Sequence, residues 1–120
     1  DMRFQPIELI GLLGLDFFQG NVVKYVARHH KKGGREDLDK ALHYCQLAMS
    51  YGYGRVRLPT KAQTARIAVF VTMNSLPDYT TKRFSRLISE GLMCRNWDLA
   101  MEIIDEITQD YDMQACSTDN

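Results

Sequence analysis

The sequence predicts an all-α fold, a compact bundle of about five to six short helices that assembles as a homo-oligomer. Three observations lead there. Apolar residues recur at helical spacing in segment after segment, with little strand-like alternation. Glycines and prolines fall between those segments, where helices stop and start. The 120 residues are 45% hydrophobic and 25% charged, which is enough to build a core without disulfides or metals.

Gln5-Pro6 opens the first helix, because proline at a first helical position loses only an N–H that has no partner anyway. Ile7, Ile10 and Leu13 follow at helical spacing, and Gly14 closes the segment. Asp16 is a natural N-cap for a second helix running to about Lys32, with an apolar stripe of Phe18, Val22, Tyr25, Val26 and His29. Gly33-Gly34 breaks it. A third helix starts near Arg35 or Glu36 and carries Leu38, Ala41, Leu42, Cys45, Ala48 and Met49 on one side. Glu36 and Asp37 in its first turn complement the positive end of the helix dipole.

Residues 1–50 thus form one helical region, and residues 51–60 (YGYGRVRLPT) read as a Gly/Arg loop. The C-terminal helical region, 61–112, holds three further segments: Ala62 to Asn74, Thr80 to Leu92, and Asn96 to Tyr111 with Asn96 as cap. Arg66 to Met73 has strand propensity, but its alanine-rich surroundings favour helix. Residues 113–120 read as a flexible polar tail.

Composition narrows the function. Fifteen Lys and Arg balance fifteen Asp and Glu, so binding to nucleic acid through global charge is disfavoured. No apolar run approaches the roughly 18 residues of a membrane span. The N-terminus lacks a signal-peptide pattern, and Asp1 reads as a trimmed start. Cys45, Cys94 and Cys116 form no CxxC pair, which fits a reducing cytoplasm.

Chemistry concentrates between Gly20 and Tyr44. Asn21, Lys24 and Arg28 share one face of the second helix at i, i+3, i+7, and Asp37, Lys40 and Tyr44 repeat that spacing on the third. Between them, Lys31-Lys32-Gly33-Gly34-Arg35 forms a basic glycine turn leading into a helix N-terminus, where exposed N–H groups and the dipole attract anions. That is a phosphate-pocket pattern. The same residues also make an ordinary helix end, since lysines and glycine suit a C-terminus, and Asp37 with Lys40 could be a surface ion pair.

The motifs P-I-E (6–8), G-N-x-x-K-Y-x-x-R (20–28) and K-G-G-x-x-D-L-x-K-A-x-x-Y (32–44) resemble a phage-encoded family that includes the small nucleotide kinase of short-tailed coliphages. The resemblance spans about residues 5–49. It implies a nucleotide-handling protein of the infected host's cytoplasm, with shared polar positions at Glu8, Asn21, Lys24, Tyr25, Arg28, Lys32, Gly33, Gly34, Asp37, Lys40 and Tyr44. It further implies phosphoryl transfer from a nucleoside triphosphate to a nucleoside monophosphate. No Walker-type G-x-x-x-x-G-K-[ST] is present, so catalysis would rest on positioning and cationic stabilisation. Lys24 and Arg28 are then the catalytic cations, and Asp37 the catalytic carboxylate and Mg2+ ligand. Asn21, Tyr25, Lys32, Gly33, Gly34, Arg35, Lys40 and Tyr44 bind the ligand.

Other features weigh less. His29-His30 points two rings about 100° apart, a poor chelate. Glu36-x-x-Asp39 and Glu102-x-x-Asp105 resemble the acidic pairs of all-α nucleoside triphosphate pyrophosphatases, but the partner E-x-x-E is missing. Arg55 and Arg57 either close over a ligand or cover the surface, and Tyr51 and Tyr53 either stack on a base or pack on the core. Two functional classes follow: a nucleotide kinase, or a binding-only protein that sequesters a cyclic or NAD-derived nucleotide signal of host defence. A helical module that docks on a host protein is a third.

Overall fold

The computed structural model describes residues 2–118, and every regular element among them is helical. Helix α1 spans Pro6–Leu13, α2 Phe17–Arg28, α3 Gly34–Tyr51, α4 Lys61–Met73, α5 Asp78–Arg86 and α6 Trp97–Thr118. A π-helical stretch, Leu87–Leu92, extends α5. No helix among the described residues is long and apolar enough to cross a membrane.

Local chemistry sets most boundaries. Glu8 accepts the Gln5 backbone N–H at the start of α1, and Gly14 ends it in the left-handed conformation (φ 65°). Asp16 caps α2 by accepting the Gln19 N–H at 2.8 Å, and the Gln19 side chain accepts the Asp16 N–H in return. Thr60 and Gln63 make the same reciprocal pair at the start of α4. Asn96 accepts the Leu99 N–H and starts α6.

Several boundaries differ from expectation. Helix α2 stops at Arg28 rather than Lys32, because the N–H groups of Lys31 and Lys32 both turn back to the Arg28 carbonyl and Gly34 N–H reaches the His29 carbonyl at 2.8 Å. The segment expected as one helix over 80–92 changes pitch at Leu87. There Gly91 packs so closely on α6 that a Cβ would lie 3.2 Å from Ala100 Cα, and the wider π turn accommodates the contact. Helix α6 continues past Tyr111 to Thr118, so the tail expected at 113–120 is helical through Thr118; residues 119 and 120 lie outside the described residues. Residues 66–73 are helical, as the alanine-rich context indicated.

Helices before and after the 51–60 loop share one core. Val22, Val23, Val26 and Ala27 of α2 pack with Leu38, Ala41 and Cys45 of α3 and with Ile103, Ile104 and Ile107 of α6. At the other end Phe70 of α4 stacks on Phe84 of α5, with ring centroids 5.6 Å apart. Asn74 clamps the N-terminal segment by accepting the Phe4 N–H and donating to the Phe4 carbonyl. That clamp carries Met2, Gln5 and Pro6 to the side of α2.

His29 is a core histidine. It donates Nδ1–H to the Val26 carbonyl and accepts the Tyr79 hydroxyl at Nε2, 2.7 Å away. Burial holds its pKa below the ordinary value. Burial also lowers His30, with neighbouring His29 and Lys31 adding to the shift, to about 4. Between pH 6.5 and 4 the unfolded chain therefore takes up a proton that the folded chain refuses. The stability this provides is complete above about pH 6.5 and is lost as pH falls toward 4. Urea titrations between pH 7.5 and 4.5 should show that loss in the wild type and a shallower dependence in His30→Gln; parallel curves would refute it.

Candidate functional site

The second helix lifts its charged residues out of the core by simple periodicity. With Val22, Val23 and Val26 turned inward, Lys24, Tyr25 and Arg28 remain half-buried at the surface. Three cations then gather on one ring: Lys24 Nζ lies 4.5 Å, Arg28 Cζ 4.8 Å and Lys40 Nζ 5.4 Å from the Tyr25 centroid. Tyr25 stacks on Tyr44 at 5.9 Å, and Phe17 meets the Tyr44 ring edge-on. The structure therefore brings Lys24, Arg28, Lys40 and Tyr44 together across α2 and α3, and adds Tyr25, which spacing had assigned to the apolar stripe.

Asp37 sits differently from the expected metal-side carboxylate. Its side chain is 2% exposed, and its two oxygens face Arg28 Nε (3.0 Å) and Nη2 (3.4 Å). The same carboxylate lies directly over Gly33, where a Cβ would come within 2.0 Å of it. The protein thus places its own anion at the N-terminus of α3, the position the basic glycine turn seemed to offer a phosphate. Gly34, at φ 55°, is covered by the Tyr111 hydroxyl, 2.6 Å from where a Cβ would stand. Gly33 and Gly34 therefore make the turn possible rather than line a ligand pocket. Mg2+ does not fit at Asp37 without breaking the Arg28 pair.

Arg35 also turns elsewhere, pairing with Asp39 at 3.3 Å and with Asp112 of α6 at 2.6 Å. Glu36 pairs with Lys40 at 3.6 Å. Among the described residues no group of three His, Cys, Asp or Glu side chains is placed to hold a metal ion.

The accessible cations open onto a cleft between the start of α1 and the outer face of α2. It measures about 330 Å³ and brings Lys24, Arg28, Lys31 and Lys32 opposite Gln5 and Ile7. Lys24 and Lys32 form no ion pair among the described residues, so their charge faces the cleft uncompensated. A shallower, mainly apolar cleft of about 340 Å³ adjoins it along α2. Ile10, Leu15, Phe17, Gly20 and Asn21 line that second cleft, and Ile7 and Lys24 belong to both. Gly20 lets α2 approach α1 closely: a Cβ would stand 3.1 Å from Ile10 Cγ2, and the Ile10 side chain would have to give way. Asn21 donates its side-chain amide to the Phe17 carbonyl, which leaves its carbonyl oxygen for other partners.

Sequence reasoning missed Gln5 and Ile7 as part of this wall. Ile7 counted as core by spacing, yet it is 72% exposed. Only the fold of the N-terminal segment onto α2 makes it a site residue.

Removing the Asp37 carboxylate would leave the Arg28 guanidinium without its partner. Asp37→Ala is expected to destabilise the fold by about 1.5–3 kcal/mol, the scale of hydrogen bonds to a charged group. Gly33→Ala should also destabilise, because the methyl group collides with a carboxylate too buried to move aside. The two losses should be strongly non-additive, since Asp37→Ala removes what the methyl strikes. Additive losses in urea denaturation would contradict the contact.

A family model described as a protein of unknown function (DUF3310) matches residues 4–46. That stretch includes α1, α2 and the first part of α3, and so the whole α2 cation cluster and the wall facing it. No curated protein and no solved structure matches the chain significantly.

Proposed function

We propose that the protein binds a nucleotide or nucleotide-derived small molecule in the paired clefts along α2. The observation that carries this reading is the cation cluster beside an apolar trough: four basic side chains line one cleft, and an aromatic and aliphatic surface continues from it. Lys24, Arg28 and Lys32 hold phosphate oxygens, with Arg28 oriented by Asp37. A base rests over Ile10, Leu15 and Phe17, with Asn21 as its polar contact. Both parts are needed for a nucleotide, which is anionic at one end and flat and weakly polar at the other.

Phosphoryl transfer to a nucleoside monophosphate is the activity that the family resemblance implies. It asks this cleft to receive a triphosphate donor with Mg2+ as well. Binding without turnover is the reading the geometry supports better, because the expected carboxylate for the ion is occupied by Arg28. Sequestering a cyclic or NAD-derived signal would need only the binding clefts.

Calorimetry with nucleoside mono-, di- and triphosphates, with and without Mg2+, tests the reading. Lys24→Ala should weaken binding about 10- to 100-fold, and Lys82→Ala on the exposed side of α5 should leave it unchanged. Phe17→Ala should weaken nucleotides while leaving inorganic pyrophosphate unaffected, since only the former needs the apolar trough. Identical affinities in all variants would dismiss the cleft. Phosphate transfer between nucleotides in the Mg2+ samples would establish the kinase.

Association of copies belongs to the same proposal. Val56, Leu58, Val69 and Met73 are exposed along the loop and α4, an apolar surface that a second copy would cover. Sedimentation equilibrium over a hundredfold concentration range should reveal an oligomer; a strict monomer throughout would remove this part.

A further inference from the structure

The Gly/Arg loop builds a second cationic cavity at the opposite end of α1. Residues 53–57 run back over the molecule, and Arg57 N–H bonds to the Met93 carbonyl at 3.1 Å. The Arg57 guanidinium reaches the carbonyls of Leu13 (2.7 Å) and Gly14 (2.9 Å) and so caps the C-terminus of α1. It fits there because Gly14 has no Cβ; one would stand 2.6 Å from Arg57 Nη2. Under this strap lies a cavity of about 370 Å³ lined by Asp16, Gln19, Tyr53, Arg55, Arg57 and Arg95 among others.

Arg95 is held there at some cost. It is one of two described non-glycine residues with positive φ (55°), a conformation that a side chain disfavours. Its side chain is only 13% exposed, and Nη1 contacts Asp16 at 3.2 Å. Its Nη2 is buried with no hydrogen-bond partner. The guanidinium also lies over the Trp97 ring, with Cζ 5.5 Å from the centroid, and with Asp16 that ring holds Arg95 against the cavity wall. Arg55, on the strap itself, is exposed and makes no ion pair among the described residues. Three guanidinium groups therefore face this cavity with Asp16 as the one carboxylate lining it.

The cavity lies next to the apolar trough and shares two lining residues with it. Leu15 and Asp16 line both it and the apolar trough, just as Ile7 and Lys24 line both the trough and the first cationic cleft. We propose that the cavity is a second phosphoryl-binding subsite, in which Arg95 and Arg55 take the oxygens of a phosphate while Arg57 supplies field and holds the strap. The groove along α1 and α2 then has a cationic end, an apolar middle and a second cationic end. It suits two phosphoryl groups at once: those of two mononucleotides, or the two ends of one dinucleotide. This rests on the reading of the first cleft for the ligand class, but the second subsite binds phosphate whether or not the first does.

The test is a nitrogen-15 NMR titration of the full chain that follows the arginine Nε–H signals together with the Gly54 and Lys24 amides. Inorganic pyrophosphate, ADP and a 5′-phosphorylated dinucleotide serve as probes. Pyrophosphate should shift Arg95, Arg55 and Gly54, and Arg55→Ala should weaken that response about tenfold while Lys24→Ala leaves it intact. Arg55 is exposed, so its removal should not unfold the protein; Arg95→Lys, which keeps the charge and loses the fork, should weaken the same response. Two ADP molecules per chain would identify a pair of mononucleotides. One dinucleotide per chain, weakened by both Arg55→Ala and Lys24→Ala, would identify a ligand that bridges the groove. Shifts confined to Lys24 and Arg28 would overturn the second subsite and keep the first. Shifts confined to the Arg55–Arg95 end would keep this inference and remove the first cleft, and no shift at either end at millimolar probe would overturn both.

Discussion

The ion pair between Arg28 and Asp37 is the contact around which the α2–α3 half of the molecule is arranged. It joins the last residue of α2 to the first turn of α3 across five intervening turn residues, and α2 with α3 is the most extensively contacting helix pair in the fold. A buried carboxylate is tolerated only with partners that replace its lost water, and Arg28 supplies two N–H groups. The carboxylate also stands at the positive end of α3, so the helix dipole contributes to holding it. Gly33 is the space this needs. Net stability from such a pair is small, but its direction is firm: it fixes Arg28 at the surface, beside Tyr25 and in line with Lys24.

From that constraint the cationic face follows. Lys24 and Lys32 have no acidic partners among the described residues, while Arg28 is paired with Asp37. Such a concentration of positive charge opposes itself, and Tyr25 partly relieves it by presenting ring electrons to three cations. An incoming anion would relieve it further. A chain with zero formal net charge thus carries a locally basic cleft, and several of its acids pair with other arginines: Asp39 and Asp112 with Arg35, Glu106 and Asp110 with Arg83, Asp16 with Arg95.

Helix α1 is the wall that gives this face depth. It is eight residues long, too short to be stable alone, and it is held at both ends by other parts of the chain. The Phe4–Asn74 clamp fixes its entry, and the Arg57 guanidinium caps its exit. Residues 53–57 therefore do more than connect α3 to α4. They line the cavity at the C-terminal end of α1 with the same arginine that caps that helix.

The helices and most of their ends are written in local sequence, because they depend on neighbours within four residues. Asp16 with Gln19, Gly14 and Asn96 are recognisable from local pattern, and the alternation of valines and cations on α2 already separates a core face from a charged one. The sequence could also show which polar residues share a face, since i, i+4 spacing carries directly into space. It could not show what fills the glycine turn. A basic turn ahead of a helix reads as a place for phosphate, and only the packing of α3 on α2 reveals that Asp37 already occupies it. Nor could it show that Ile7 leaves the core to face Lys24, or that Arg95 joins Arg55 and Arg57 across some forty residues. Those are contacts between distant segments, set by how α1 and the 51–60 loop settle on the finished α2–α3–α6 core. Periodicity fixes which face a residue takes, and tertiary packing decides what that face meets.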